Sequence, residues 1–222
     1  MTTTSIIAQA IEFTKLIIPF GLAAILHEIA HGYMAYLLGD NTAKESGRLT
    51  LNPFKHIDLF GTILFPILLS LANFIPIILF KPVPINPANF KNPIKDSMKV
   101  ALAGPLTNFF LAFVTLLIYK IIIFFPEIYT STTFLIIKNL FIFPFILINL
   151  ILGSFNLIPF PPLDGHWVLN ALLGVKARFY FQKYKSYLTI IFLILVISGG
   201  ISPILGYTLK LFIKIANWFL RI

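Results

Sequence analysis

No cysteine occurs among the 222 residues of this chain. That excludes a disulfide framework, thiolate chemistry and any cysteine-rich metal site. A metal here would have to be held by histidine, aspartate or glutamate. Charge is scarce too, at 11% of residues with only 8 acidic ones, where a soluble domain carries roughly a quarter. Internal repeats and low-complexity linkers are lacking. Residues Met1 to Ser5 have neither the basic region nor the small-residue cleavage site of a removable signal peptide, so the first hydrophobic stretch is expected to stay attached.

What is abundant is apolar surface. Hydrophobic residues make up 58% of the chain, and its mean hydropathy is +0.92. A hydrocarbon core of roughly 30 Å needs about 20 helical residues to cross. Several runs reach that length, so a lipid bilayer is the expected surrounding for most of the protein. The net charge of +9 comes from lysines in short connections beside apolar runs. It forms no basic–aromatic stripe, which argues against nucleic acid as a partner. It reads instead as topology-setting positive charge facing the cytoplasm.

The first apolar run extends from Ile6 to Leu38, interrupted by Glu12, Lys15, His27, Glu28 and His31. As a helix it is about 50 Å long, with a bend expected at Pro19 and Gly21. A polar stretch from Gly39 to Asp58 precedes a second apolar run, Leu59 to Phe80, which Pro66, Asn73 and Pro76 interrupt. The segment Lys81 to Lys99 is too proline-rich to be helical throughout. Further spans are expected at Val100–Phe125, Phe134–Ile158 and Leu188–Ile201, and a last apolar stretch covers Pro203–Leu220. The pattern predicts an all-α, polytopic bundle of about five to six membrane segments, forming one domain over residues 1–222.

Ionisable residues inside such runs are costly and mark function. The densest group is HEIAH, His27 to His31. Histidines four apart on a helix lie one turn above each other on one face. They can therefore bind one zinc, while Glu28 on a neighbouring part of that face can take a proton from an attacking water. In a soluble helix this pattern is often just a solvated face. Inside an apolar helix the bland alternative is a polar cluster that stabilises helix packing.

A catalytic zinc usually has three protein ligands. Asp164, in NLIPFPPLDG (Asn156 to Gly165), is the candidate for the third. It is equally placed to cap a short helix beginning near His166. His166 is a further candidate near the metal, although two histidines, Asp164 and a water already complete a tetrahedron. His56, in the polar loop, is expected to stabilise that loop or to sit at the interface rather than to bind metal.

HEIAH, AGPLTN (Ala103 to Asn108) and NLIPFPPLDG occur here in one chain and in this order. Together they resemble the site-two protease family of intramembrane zinc metallopeptidases. GRLTLNPFKHID (Gly47 to Asp58) and KPVPINPANFKNP (Lys81 to Pro93) are similar to its compact prokaryotic branch. The resemblance covers roughly Leu22 to Leu169. It implies His27, His31 and Asp164 as ligands of one Zn2+ per chain, with Glu28 as the catalytic base or acid. It implies Asn108 and Asn156 as polar contacts for the substrate backbone or the oxyanion. Substrates would be transmembrane proteins or peptides, and the location a bacterial inner membrane. The larger members' PDZ and CBS domains have no room here, so the chain resembles the catalytic core alone.

The zinc hypothesis makes a geometric demand. Asp164 reaches the depth of His27 and His31 only if the first helix and the span Phe134–Ile158 run in the same direction. That follows if Leu59–Phe80 dips into the membrane and returns. Three lysine- and arginine-bearing connections then share one face with the site, which the positive-inside rule makes cytoplasmic. Gly47 to Asn52, whose side chains partly alternate as in a strand, is an expected edge for an extended substrate. The rival readings are a divalent-cation transporter, which needs further acidic residues along its spans, and a non-catalytic membrane protein stabilised by metal.

Overall fold

The computed structural model describes residues 3–64, 68 and 80–220, with side chains from Lys15 onward except at residue 63. Ten α-helices appear among these residues. They are α1 (Thr3–Leu37), α2 (Thr42–Glu45), α3 (Pro93–Ile123), α4 (Pro126–Tyr129), α5 (Thr132–Ile137), α6 (Phe143–Asn156), α7 (Gly165–Leu172), α8 (Val175–Lys183), α9 (Lys185–Ile197) and α10 (Ser202–Leu220). Five π-helical residues, Lys138–Ile142, join α5 to α6. No strand occurs among the described residues.

The stretches Lys15–Leu37, Pro93–Ile123 and Thr132–Asn156 are long and apolar enough to cross a membrane. The pair α8 and α9, bent by 66°, makes up to four. Three to four such segments thus lie among the described residues, which leave out most of Leu59–Phe80. α10 carries Lys210 and Lys214 and is not one of them. Large apolar side chains such as Phe110, Phe113 and Ile118 face outward from α3, as lipid permits and water does not.

α1 continues through Pro19 as one helix and stops at Gly39, whose φ of +103° suits a residue without Cβ. Gly39 N–H donates to Tyr36 and Asp40 N–H to Ala35, the paired bonds of a Schellman stop. α3 starts at Pro93, seven residues before the apolar run, because proline fits the first turn of a helix.

Named contacts fix the helix directions. From α1 to α3, His31 pairs with Val100 and His27 with Asn108, so the two run antiparallel. From α3 to α6, Pro105 lies against Gly153 and Asn108 against Asn149, again antiparallel. A shared core of Ala112, Leu116, Ile146 and Leu150 holds that second pair. α1 and α6 therefore run the same way, as the zinc hypothesis demands.

The expectation for Leu59–Phe80 falls largely outside the described residues. Its flanks do not: Lys81 N–H donates to the His56 carbonyl at 2.9 Å. The chain thus leaves and rejoins at one place. Residues 47–52 form no strand. They run through bends, and the buried His56 ring reaches the Thr50 carbonyl at 2.8 Å, a bond within the loop.

Candidate metal centre

α1 presents His27 and His31 one turn apart, and both are buried. Asp164 arrives from the turn between α6 and α7. It occupies the N-cap position of α7 but makes no capping hydrogen bond. Its Oδ2 instead lies 3.1 Å from His27 Nε2 and 3.2 Å from His31 Nε2. The two Nε2 atoms are 2.9 Å apart. The side chain thus faces the two histidines and does not cap α7.

Protons on the rings can be assigned from their partners. His27 Nδ1 faces Asn108 Oδ1 at 2.6 Å, and His31 Nδ1 faces the Val100 carbonyl at 2.7 Å. Both partners only accept, so both Nδ1 atoms carry the hydrogen. Each neutral ring then turns a bare Nε2 lone pair inward. Asp164 Oδ2 is buried and accepts no hydrogen bond. With both rings neutral, three lone-pair donors converge, an arrangement that repels unless positive charge, a metal cation or a proton on one Nε2, sits among them.

Their separations resemble the edge of a tetrahedron around zinc, about 3.3 Å for bonds of about 2.0 Å. Two imidazoles and a carboxylate are also a donor set that zinc favours. The residues fit the metal. They are the one potential metal-binding group of three or more such side chains among the described residues.

Two glycines make the approach possible. A Cβ on Gly104 would stand 2.5 Å from His31 Nε2 and 2.6 Å from His27 Cε1. A Cβ on Gly165 would collide with the Leu157 carbonyl oxygen. Both stand in sequence motifs, AGPLTN and NLIPFPPLDG, and Gly165 is needed for this close approach rather than for a positive φ.

Glu28, half-buried, lines the same cavity as His27, His31 and Asp164. The cavity is about 900 Å³, and most of its other walls are apolar, among them Phe20, Val83, Ile85 and Leu152. Glu28 Oε2 accepts a hydrogen bond from Val83 N–H at 2.8 Å. Val83 belongs to a non-helical strap that is pinned at both ends. Arg48 donates to the Lys81 carbonyl at 2.7 Å, and Asp40 accepts from Asn86 N–H at 2.7 Å.

Asn156 also lines the cavity, its Nδ2 bonded to the Leu152 carbonyl. Asn108, expected at the substrate, is fully buried behind His27 and donates to Asn149 Oδ1 and the Ala23 carbonyl. His166 stands outside the cluster. Its Nδ1 donates to the Leu163 carbonyl, and its ring packs on Trp167 and Phe181. Asn149 has no motif around it and was not singled out from sequence.

Comparison with known proteins agrees with this picture. The pattern of Peptidase family M50 matches residues 121–199. YwhC of Bacillus subtilis (strain 168), provisionally named a zinc metalloprotease, is 37% identical over 183 residues, covering 82% of this chain and 80% of that protein. The zinc metalloprotease MJ0392 of Methanocaldococcus jannaschii is 26% identical over 176 residues, 78% of this chain but 38% of the relative. A second protein of that organism, MJ0611, also provisionally named a zinc metalloprotease, is 43% identical over 76 residues, about a third of each chain. No solved structure matches.

Proposed function

The chain belongs to peptidase family M50, the site-two protease family, and from that premise we propose that it is a zinc-dependent endopeptidase cutting transmembrane segments of other proteins within or near the bilayer. The observation that carries this reading is the convergence of His27, His31 and Asp164, whose ligand atoms lie within 4.8 Å of one another, beside Glu28 on an apolar cavity.

His27, His31 and Asp164 hold one zinc, which when bound acidifies a water and polarises a carbonyl. Glu28 takes the proton from the attacking water and delivers it to the departing amide nitrogen. The apolar walls accept the side chains flanking the scissile bond and keep bulk water away. A helical peptide bond is shielded by its own hydrogen bonds, so the substrate unwinds locally before it enters. Asn156 at the cavity wall contacts its backbone. The lysine-bearing connections support a site nearer the cytoplasmic face, and the family likeness supports a bacterial cell membrane as its location.

The test is bound zinc per chain, together with cleavage of a transmembrane peptide, in wild type, His27→Ala and Asp164→Ala. About one zinc and chelator-sensitive cleavage in wild type, with both lost in each variant, is the expected result. Metal retained in Asp164→Ala would remove that residue from the ligand set. Metal-dependent ion flux without cleavage would favour a transporter.

A further inference from the structure

Asparagine is an ambiguous support for a metal-bound histidine. Its amide oxygen and nitrogen are nearly isosteric, and a 180° flip exchanges acceptor for donor. With Oδ1 towards His27, the ring carries its hydrogen on Nδ1 and offers Nε2 to a metal. With Nδ2 towards His27, the hydrogen moves to Nε2 and that ligand is lost. His31 avoids the ambiguity, because its Nδ1–H meets the Val100 carbonyl, and a main-chain carbonyl cannot flip.

For His27 the orientation is set two residues away. Asn149 Nδ2 donates to the Phe145 carbonyl at 2.8 Å, one turn earlier on α6. That bond fixes Asn149 with its Oδ1 turned to α3, where it accepts from Asn108 Nδ2 at 2.8 Å. Asn108 is thereby fixed with its Oδ1 on His27 Nδ1 at 2.6 Å. The Ala23 carbonyl also receives Asn108 Nδ2, but at 3.3 Å it is the weaker restraint. Both asparagines are completely buried, so water cannot substitute for either partner.

We infer that Asn149 is a positioning residue for the metal site: it orients Asn108, which in turn keeps His27 in the tautomer that presents Nε2. The inference rests on the reading of His27 as a zinc ligand. It assigns α6 a part in metal affinity that no ligand of its own supplies. Partners of ligating histidines typically carry roughly 10- to 100-fold in metal affinity, and Asn149 acts on His27 through one such partner.

The experiment titrates zinc against a chelating indicator into the purified full chain in detergent. The melting temperature of the metal-free protein is measured alongside. Asn149→Leu removes the acceptor while filling the space. Asn149→Asp keeps it, since a protonated carboxyl can accept from Asn108 and donate to Phe145. The expected result is zinc binding weakened roughly tenfold or more in Asn149→Leu and close to wild type in Asn149→Asp. Both metal-free proteins should still unfold cooperatively, with Asn149→Leu losing only the few degrees that one unmet buried N–H costs. Cobalt in place of zinc should show an altered ligand-field spectrum in Asn149→Leu alone.

Wild-type affinity in Asn149→Leu, or equal losses in both variants, overturns the inference. Should Asn149→Leu fail to fold, Asn149→Ser, whose hydroxyl is too short to reach Asn108, is read against the same two results. His27→Ala separates the two levels of the argument. Zinc retained there overturns the ligand reading itself, whereas zinc lost there but kept in Asn149→Leu overturns only the role of Asn149.

Discussion

Val83 follows Glu28 by 55 residues, yet its backbone N–H donates to the Glu28 carboxylate at 2.8 Å. The bond ties the strap over the cavity to the side chain proposed as the proton acceptor. It also occupies one of that side chain's two oxygens, leaving the other for water or substrate.

Glu28→Gln separates these duties. The amide oxygen still accepts from Val83, so the strap and the bound zinc should be unchanged. Proton transfer should be lost, with cleavage falling by roughly 10²- to 10⁴-fold. Metal content and peptide turnover of the same preparation check this, and normal turnover would end the assigned role.

Gly104→Ala probes the close approach of α3 to the two imidazoles. The new methyl would displace both rings, while alanine for glycine in a helix interior adds about 1 kcal/mol of helix propensity. Moving two buried, hydrogen-bonded rings costs about 1–3 kcal/mol, which offsets that gain. The expected variant therefore stays folded without metal, at a similar or slightly lower melting temperature, but binds zinc weakly. Unchanged zinc affinity would show that the rings yield without cost.

Arg48 is nearly buried and secures the strap at Lys81. Arg48→Met keeps much of the apolar stem but removes a charged hydrogen bond worth roughly 1.5–3 kcal/mol. Opening of residues 81–92 should rise about tenfold or more, and limited proteolysis reads it as faster nicking there. Identical cleavage patterns in the two proteins would contradict the anchoring role.

Asp40 holds the strap's other end and gives a pH signature. Burial opposes its ionisation, but hydrogen bonds from the Thr42 hydroxyl, Asn86 N–H, the Asn89 amide and Thr42 N–H hold its carboxyl below the ordinary range. A depressed folded pKa means its stabilisation is complete above the unfolded value of about 3.9. The contribution is lost as pH falls through the lower folded value. Denaturation midpoints of wild type and Asp40→Asn should therefore differ by a constant amount from neutral pH to about pH 4, with the gap narrowing below. A gap that closes between pH 7 and 5 would refute the depression.

Much of the fold was readable because lipid imposes simple rules. Apolar runs near 20 residues announce crossing helices, and α1, α3 and the stretch Thr132–Asn156 lie where composition puts them. HEIAH was readable because helical spacing alone brings His27 and His31 onto one face. Asp164 was half-readable: its position before Gly165 suits both a cap and a ligand, and only the direction of its side chain separates them. The parallel course of α1 and α6 was reached as a consequence of the zinc hypothesis rather than from either helix's own residues.

Sequence by itself thus determined an apolar, all-helical, cysteine-free chain whose apolar runs carry their densest ionisable group at one short motif, because helix periodicity and the cost of charge in lipid act locally. Tertiary structure alone decided which groups meet that motif: Asp164 across the cluster, Val83 on Glu28, and the Asn108–Asn149 pair behind His27. A buried asparagine in an apolar helix carries no mark of its partner. Hydrogen-bond direction depends on which helix packs opposite, and that is fixed by close approaches such as Gly104 to the histidines and Gly153 to Pro105.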